Sequence, residues 1–147
     1  DTSFSTKLNE NFSEVRHKST RGVTHTTVGT TSTTFSDCLT VATPAALKAG
    51  QVVLLECWAQ VSAHKFDSVE TRLYDNTAGA QVVAQVEGAD SGYADPIEFW
   101  SVYLVGTVTL TNAGDTKSIK VQVRRDAGTT GTSQCYGAYL KCTLVEE

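Results

Sequence analysis

Residues 51–61, reading Gln-Val-Val-Leu-Leu-Glu-Cys-Trp-Ala-Gln-Val, form the most apolar run in the chain, and the rest of the fold has to be built around them. The run is too short to cross a bilayer as a helix, which takes roughly 20 apolar residues. It is rich in β-branched and aromatic residues, with Ala49-Gly50 before it and turn formers between Ser62 and Asp67 after it. That is the pattern of a buried strand. Side chains alternate along a strand, so Val53, Leu55, Cys57, Ala59 and Val61 share one face. The other face carries Val52, Leu54 and Trp58 and is apolar for most of its length. An antiparallel strand with one wet face should alternate apolar and polar. This one does so only weakly, so both of its sides are expected to be covered.

Residues 97–111 repeat the pattern. Glu98, Trp100, Val102 and Leu104 lie on one face, and Phe99, Tyr103 and Val105 on the other. Two such strands in a small sandwich leave apolar area that one core cannot cover, and exposed apolar patches above a few hundred Å² mark interfaces. Self-association is expected through the outer residues Val52, Leu54, Trp58, Phe99, Tyr103 and Val105, with the aromatic side chains as anchors.

The 147 residues suffice for one domain; a chain of this length buries about 70% of its unfolded surface and needs no disulfide or metal to hold a core. Threonine and valine dominate and there are only two prolines, a composition that favours strands. Strand candidates fall at 23–29, 33–41, 51–62, 68–74, 80–87, 97–111, 117–125 and 136–145. Turn signals at 75–79 and 112–115 separate some of them. About eight strands at regular spacing, with no room for crossover helices, predict an all-β fold: a single antiparallel β-sandwich of jelly-roll type. Cys57 is in phase with Leu55 and Val61, and Cys142 with Leu140 and Leu144. Both read as buried thiols, with a Cys57–Cys142 disulfide as the alternative; with Cys38 and Cys135 they match no zinc spacing.

The first 18 residues differ. Phe4, Leu8, Phe12 and Val15 fall on one stripe of a helix, with Asn11 on the same side. At about 15 residues such a helix is marginal alone in water and needs a surface to lie against, either its own domain or a larger assembly or copies of itself. The chain divides into this N-terminal segment, helical or extended, at 1–22, a candidate anchor, and a sandwich at 23–147. The sequence contains no methionine, so something is expected to precede Asp1.

The net charge of −4 argues against nucleic acid, which needs a concentrated basic face. No apolar segment is long enough for membrane insertion. No nucleophile elbow, phosphate loop, calcium loop or paired-histidine motif is present, so neither enzymatic activity, cofactor nor metal is expected. The loops at 88–96 and 126–134 carry Asp90, Ser91, Tyr93, Asp95 and Gln134, which suit contacts to a sugar or a protein, and loops on rigid sandwiches often carry function.

Two parts of the chain resemble tailed-phage virion appendage proteins. Phe4-Ser5-Thr6-Lys7-Leu8-Asn9-Glu10-Asn11-Phe12-Ser13-Glu14-Val15 resembles the Asn-x-Asn-Phe segments near the start of tail-fibre and related proteins. The body resembles their TNF/C1q-like jelly rolls through Thr30 to Asp37, Val52 to Glu56, Thr71 to Asp75, Ser118 to Val123 and Tyr139 to Glu146. The resemblance implies a non-enzymatic homotrimer on the virion surface, assembled in the bacterial host cytoplasm. Phe4, Leu8, Asn11, Phe12 and Val15 would anchor it to tail, baseplate or capsid proteins, with the sandwich facing a host surface glycan or protein. A capsid decoration protein stabilising the head and a stand-alone glycan- or receptor-binding module are the alternatives.

Overall fold

Core residues at every second position build nine antiparallel strands over the residues that the computed structural model describes, 18–64, 66–88, 97–128 and 131–145. They are β1 (Ser19–Thr24), β2 (Val28–Thr30), β3 (Ser36–Ala42), β4 (Gln51–His64), β5 (Ser68–Asp75), β6 (Ala80–Gly88), β7 (Ile97–Leu110), β8 (Ser118–Ala127) and β9 (Ser133–Leu144). One sheet runs β1-β9-β4-β7, with β2 pairing further along β9; the other runs β3-β8-β5-β6. The pairs nest: β1 and β2 with β9, β3 with β8, β4 with β7, β5 with β6. Nested antiparallel pairs folded into two facing sheets are the jelly-roll arrangement, so the all-β sandwich expected from the sequence is the one that forms.

The strand expected at 23–29 splits into β1 and β2. The break follows from threonine chemistry: the Thr26 amide donates to Thr24 Oγ1 at 3.2 Å, a local bond that competes with the ladder. Thr30 and Ser32 hydroxyls likewise accept from the Ser32 and Thr34 amides, and β3 starts at Ser36, three residues later than expected. β1 reaches back to Ser19, four residues before the expected strand, so residues 19–22 are paired with Thr143 through Leu140 of β9.

The core lies between the sheets. Leu55, Leu73, Leu110, Ile119 and Leu140 are fully buried, each contributing about 1.5–3 kcal/mol of apolar burial. All four cysteines are free. The alternative Cys57–Cys142 bridge is not formed: both side chains face the core, but Cys57 stands opposite Leu140 and Cys142 opposite Leu55. Burial pushes the Cys57 thiol up to about 12 and the Cys142 thiol up to about 11, so both behave as small apolar residues. Cys38 Sγ donates to the Ser36 carbonyl at 3.8 Å and Cys135 Sγ, from the facing sheet, to that of Gly137 at 3.4 Å; the interaction between the two thiols pushes Cys38 up and Cys135 down.

Candidate functional site

The outward positions of the β1-β9-β4-β7 sheet form rows set by register. Trp58 of β4 stands opposite Tyr103 of β7 and Tyr139 of β9, and Tyr139 stands opposite Val23 of β1. Ring centroids are 4.8 Å apart for Trp58 and Tyr103, and 5.5 Å for Trp58 and Tyr139, within the range of favourable tilted aromatic pairs. The row is therefore continuous across four strands, yet Trp58 remains 44% exposed. Beside it, Glu56 is flanked in register by Val105 and Lys141, and the Tyr103 hydroxyl donates to Glu56 Oε2 at 3.0 Å.

A second aromatic pair lies further along the same face. Phe99 packs on Tyr136 with centroids 5.6 Å apart, and Ser62 Oγ donates to the Tyr136 hydroxyl at 3.2 Å. Between this pair and the Trp58 row runs a depression of about 360 Å³. On its floor Gln60 Nε2 donates to Ser101 Oγ at 2.8 Å, and Gly137 lies opposite Gln60. Val23, Trp58 and Tyr139 form one wall, and His25 and Thr24 close the β1 end.

All six residues expected at a subunit interface share this face. Trp58, Phe99, Tyr103 and Val105 are exposed, and Val52 and Leu54 are half-buried. The structure adds Val23 and Ile97, both exposed, and Tyr136 and Tyr139, both half-buried. Strict alternation along β9 places Tyr136 with Ala138 and Leu140, toward the core. A register shift between Gln60 and Val61 inserts an extra residue into β9, with Gly137 and Cys135 as the flanking partners. Tyr136 and Tyr139 consequently face outward together. A glycine within a strand is the sequence signal for such a bulge, and Gly137 supplies it here.

The β7 edge has 14 residues with neither lysine nor proline, two of the usual means of blunting an exposed edge. Its corner with β6 is tight: a Cβ on Gly106 would stand 2.6 Å from Val82 Cγ1.

The outer face of the other sheet carries a closed polar lattice. Gln122 accepts from Arg72 Nε at 2.8 Å and donates to Asp37 Oδ1 at 2.6 Å, and Lys120 Nζ donates to Asp37 Oδ2 at 2.7 Å. These partners hold the Asp37 carboxyl below the usual carboxylate range, the Gln122 bond foremost. Arg124 pairs with Glu70 at 2.6 Å. The Arg72 guanidinium lies 3.6 Å from the Phe35 ring centroid and 4.4 Å from that of Tyr74, a cation–π sandwich.

The remaining sequence-derived candidates are placed as follows. Phe4, Leu8, Asn11, Phe12 and Val15, and Asp90, Ser91, Tyr93 and Asp95, lie outside the described residues. Gln134, expected in a loop, sits within β9, paired with Gly29 and Ser62, because β9 starts at Ser133. Among the described residues, no helix is long and apolar enough to cross a membrane. No group of three His, Cys, Asp or Glu side chains among them is placed to hold a metal ion.

No protein-family model matches the chain, and no curated protein matches it by sequence. Among solved structures, the C-terminal domain of the sugar-binding protein EclA is similar at a TM-score of 0.42 and 13% identity, over 80% of this chain and 78% of its own. The VP2 subviral particle of infectious bursal disease virus is similar at a TM-score of 0.47 and 8% identity, over 86% of this chain. This chain spans only 33% of that one. The functional reading therefore rests on the residues of the face itself.

Proposed function

We propose that this chain is a non-enzymatic structural protein of a phage virion surface, a homotrimer associating through the outer face of the β1-β9-β4-β7 sheet. The reading places the N-terminal segment on the particle and the sandwich outward, for attachment. The observation that supports it is the concentration of exposed Ile97, Phe99, Tyr103 and Val105 along one 14-residue edge strand. A monomer gains nothing from presenting these side chains to water together, whereas a second copy removes them from it. Repetition of the subunit then multiplies weak outward contacts by avidity.

Sedimentation velocity at micromolar concentration tests the assembly. The expected result is a species of three chains that dissociates in a Phe99→Ser, Val105→Glu double variant whose circular dichroism is unchanged. A wild-type monomer would overturn the proposal. Immunogold labelling of the source particle then tests the virion placement, with unlabelled particles as the adverse outcome.

A further inference from the structure

We infer that the depression between the two aromatic ridges of this face is a binding site for a neutral saccharide. The inference does not rest on the assembly reading: the groove runs from Ser101 across Gln60 and Gly137 to Val23, and Ile97, Phe99, Tyr103 and Val105, which support that reading, do not line it.

Three properties of the groove select this ligand. The first is its size: at about 360 Å³ it falls within the range of small-ligand sites. The groove also lies across the strands, from Ser101 of β7 to Val23 of β1. With four strands about 4.8 Å apart, its length suits a short run of linked sugar rings better than one compact ligand.

The second property is charge. Among the described residues no Asp, Glu, Lys or Arg lines the groove, and the one imidazole, His25, stands only at its β1 end. An ionic ligand would lose its water there without finding a counter-charge, which is costly. A neutral ligand does not meet that cost.

The third is the pairing of surface types. Trp58 is held between Tyr103 and Tyr139 yet stays nearly half exposed, a fixed aromatic platform for the apolar face of a pyranose. Fixing the platform beforehand removes ordering cost from binding. On the floor, the bond from Gln60 Nε2 to Ser101 Oγ uses one donor of the amide. The Gln60 carbonyl oxygen, its second N–H and the Ser101 hydroxyl hydrogen remain for sugar hydroxyls.

Gly137 supplies the space. It is not among the positive-φ glycines, so its backbone conformation does not demand glycine. A Cβ there would meet only the Thr24 carbonyl oxygen, at 3.1 Å. The missing side chain leaves the floor open directly beside the Gln60 amide.

The experiment titrates the full chain with neutral tetrasaccharides built on glucose, galactose, mannose and N-acetylglucosamine, and with sialylated and sulfated oligosaccharides as anionic controls. Tryptophan emission and amide ¹H–¹⁵N shifts are the readouts. At least one neutral sugar is expected to give a saturable change. That change should be lost in Gly137→Val, which fills the floor, and the affinity should fall tenfold or more in Gln60→Ala, which leaves the backbone undisturbed. No saturable change with any neutral sugar would overturn the inference. So would binding confined to anionic sugars, or neutral-sugar binding that survives Gln60→Ala. Val105→Glu alone, at a residue that does not line the groove, separates the two readings: it should weaken association and keep sugar binding.

Discussion

The two outer faces of the sandwich differ in how their large side chains are satisfied. On the β3-β8-β5-β6 sheet, Asp37, Lys120, Gln122 and Arg72 form one hydrogen-bonded chain, and the Arg124–Glu70 pair lies beside it. The polar groups of that face are satisfied within one copy, although Val86, opposite Glu70, stays 50% exposed. On the β1-β9-β4-β7 sheet the aromatic side chains touch one another, yet Trp58, Tyr103 and Phe99 remain 44%, 48% and 65% exposed. Polar groups can be saturated by neighbours on the same sheet. Apolar area is removed from water only when something else covers it. The charged face is therefore expected to act in stability, and the aromatic face in binding.

The largest effect belongs to the core common to both. Leu55→Ala removes a fully buried side chain and should lower unfolding free energy by about 2–5 kcal/mol in urea denaturation. It sets the scale for substitutions on either face. The sharper contrast is between Arg124→Ala and Tyr103→Ser. Arg124→Ala strands Glu70, whose side chain is only 10% exposed, and should cost about 1–3 kcal/mol, toward the lower end because Arg124 itself is a third exposed. Sedimentation should not change. Tyr103→Ser should lower the stability of the dissociated chain by about 0.5–1.5 kcal/mol, the worth of its ring pair with Trp58, and weaken association. Loss of association in the first variant, or a large stability loss in the second, would break the comparison.

The smallest expected effect is on pH dependence. The folded-state pKa of Asp37 lies below its ordinary value, with hydrogen bonding by Gln122 as the leading cause. Its contribution is then complete above the unfolded value of about 3.9 and disappears as pH falls through the folded value. Urea midpoints measured below about pH 4 should decline less steeply in Asp37→Asn than in the wild type. Equal slopes would mean that the lattice does not discriminate between the protonation states of this carboxyl.

The sandwich and the aromatic face were largely legible in the sequence, for the same reason. Alternation fixes which side chains share a face, so β4 and β7 announced both their core residues and their outer ones. The same rule puts Ile119, Val121 and Val123 of β8 inward, and all three are fully buried, while Lys120 and Arg124 are half-buried. It failed where the period breaks. The bulge in β9 turned Tyr136 outward, and the threonine-bonded break at residues 25–27 split one expected strand into two. The groove could not be read at all. It depends on Gln60, Ser101, Gly137 and Val23 being neighbours across four strands, and register between strands far apart in sequence is not written in any one of them.

The nested pairing has a consequence for how the protein comes to exist. β4 is bonded on one side to β7 and on the other to β9; Ser62 and Tyr136, which meet through their hydroxyls, are 74 residues apart. At 5–20 residues per second the second partner of β4 leaves the ribosome about 4–15 s after β4 itself. During that interval the most apolar strand of the chain has an open side, and Trp58 lacks Tyr139. The length of that delay, rather than final stability, should govern yield: slower synthesis prolongs the open state, and chaperone binding during it should fall on β4.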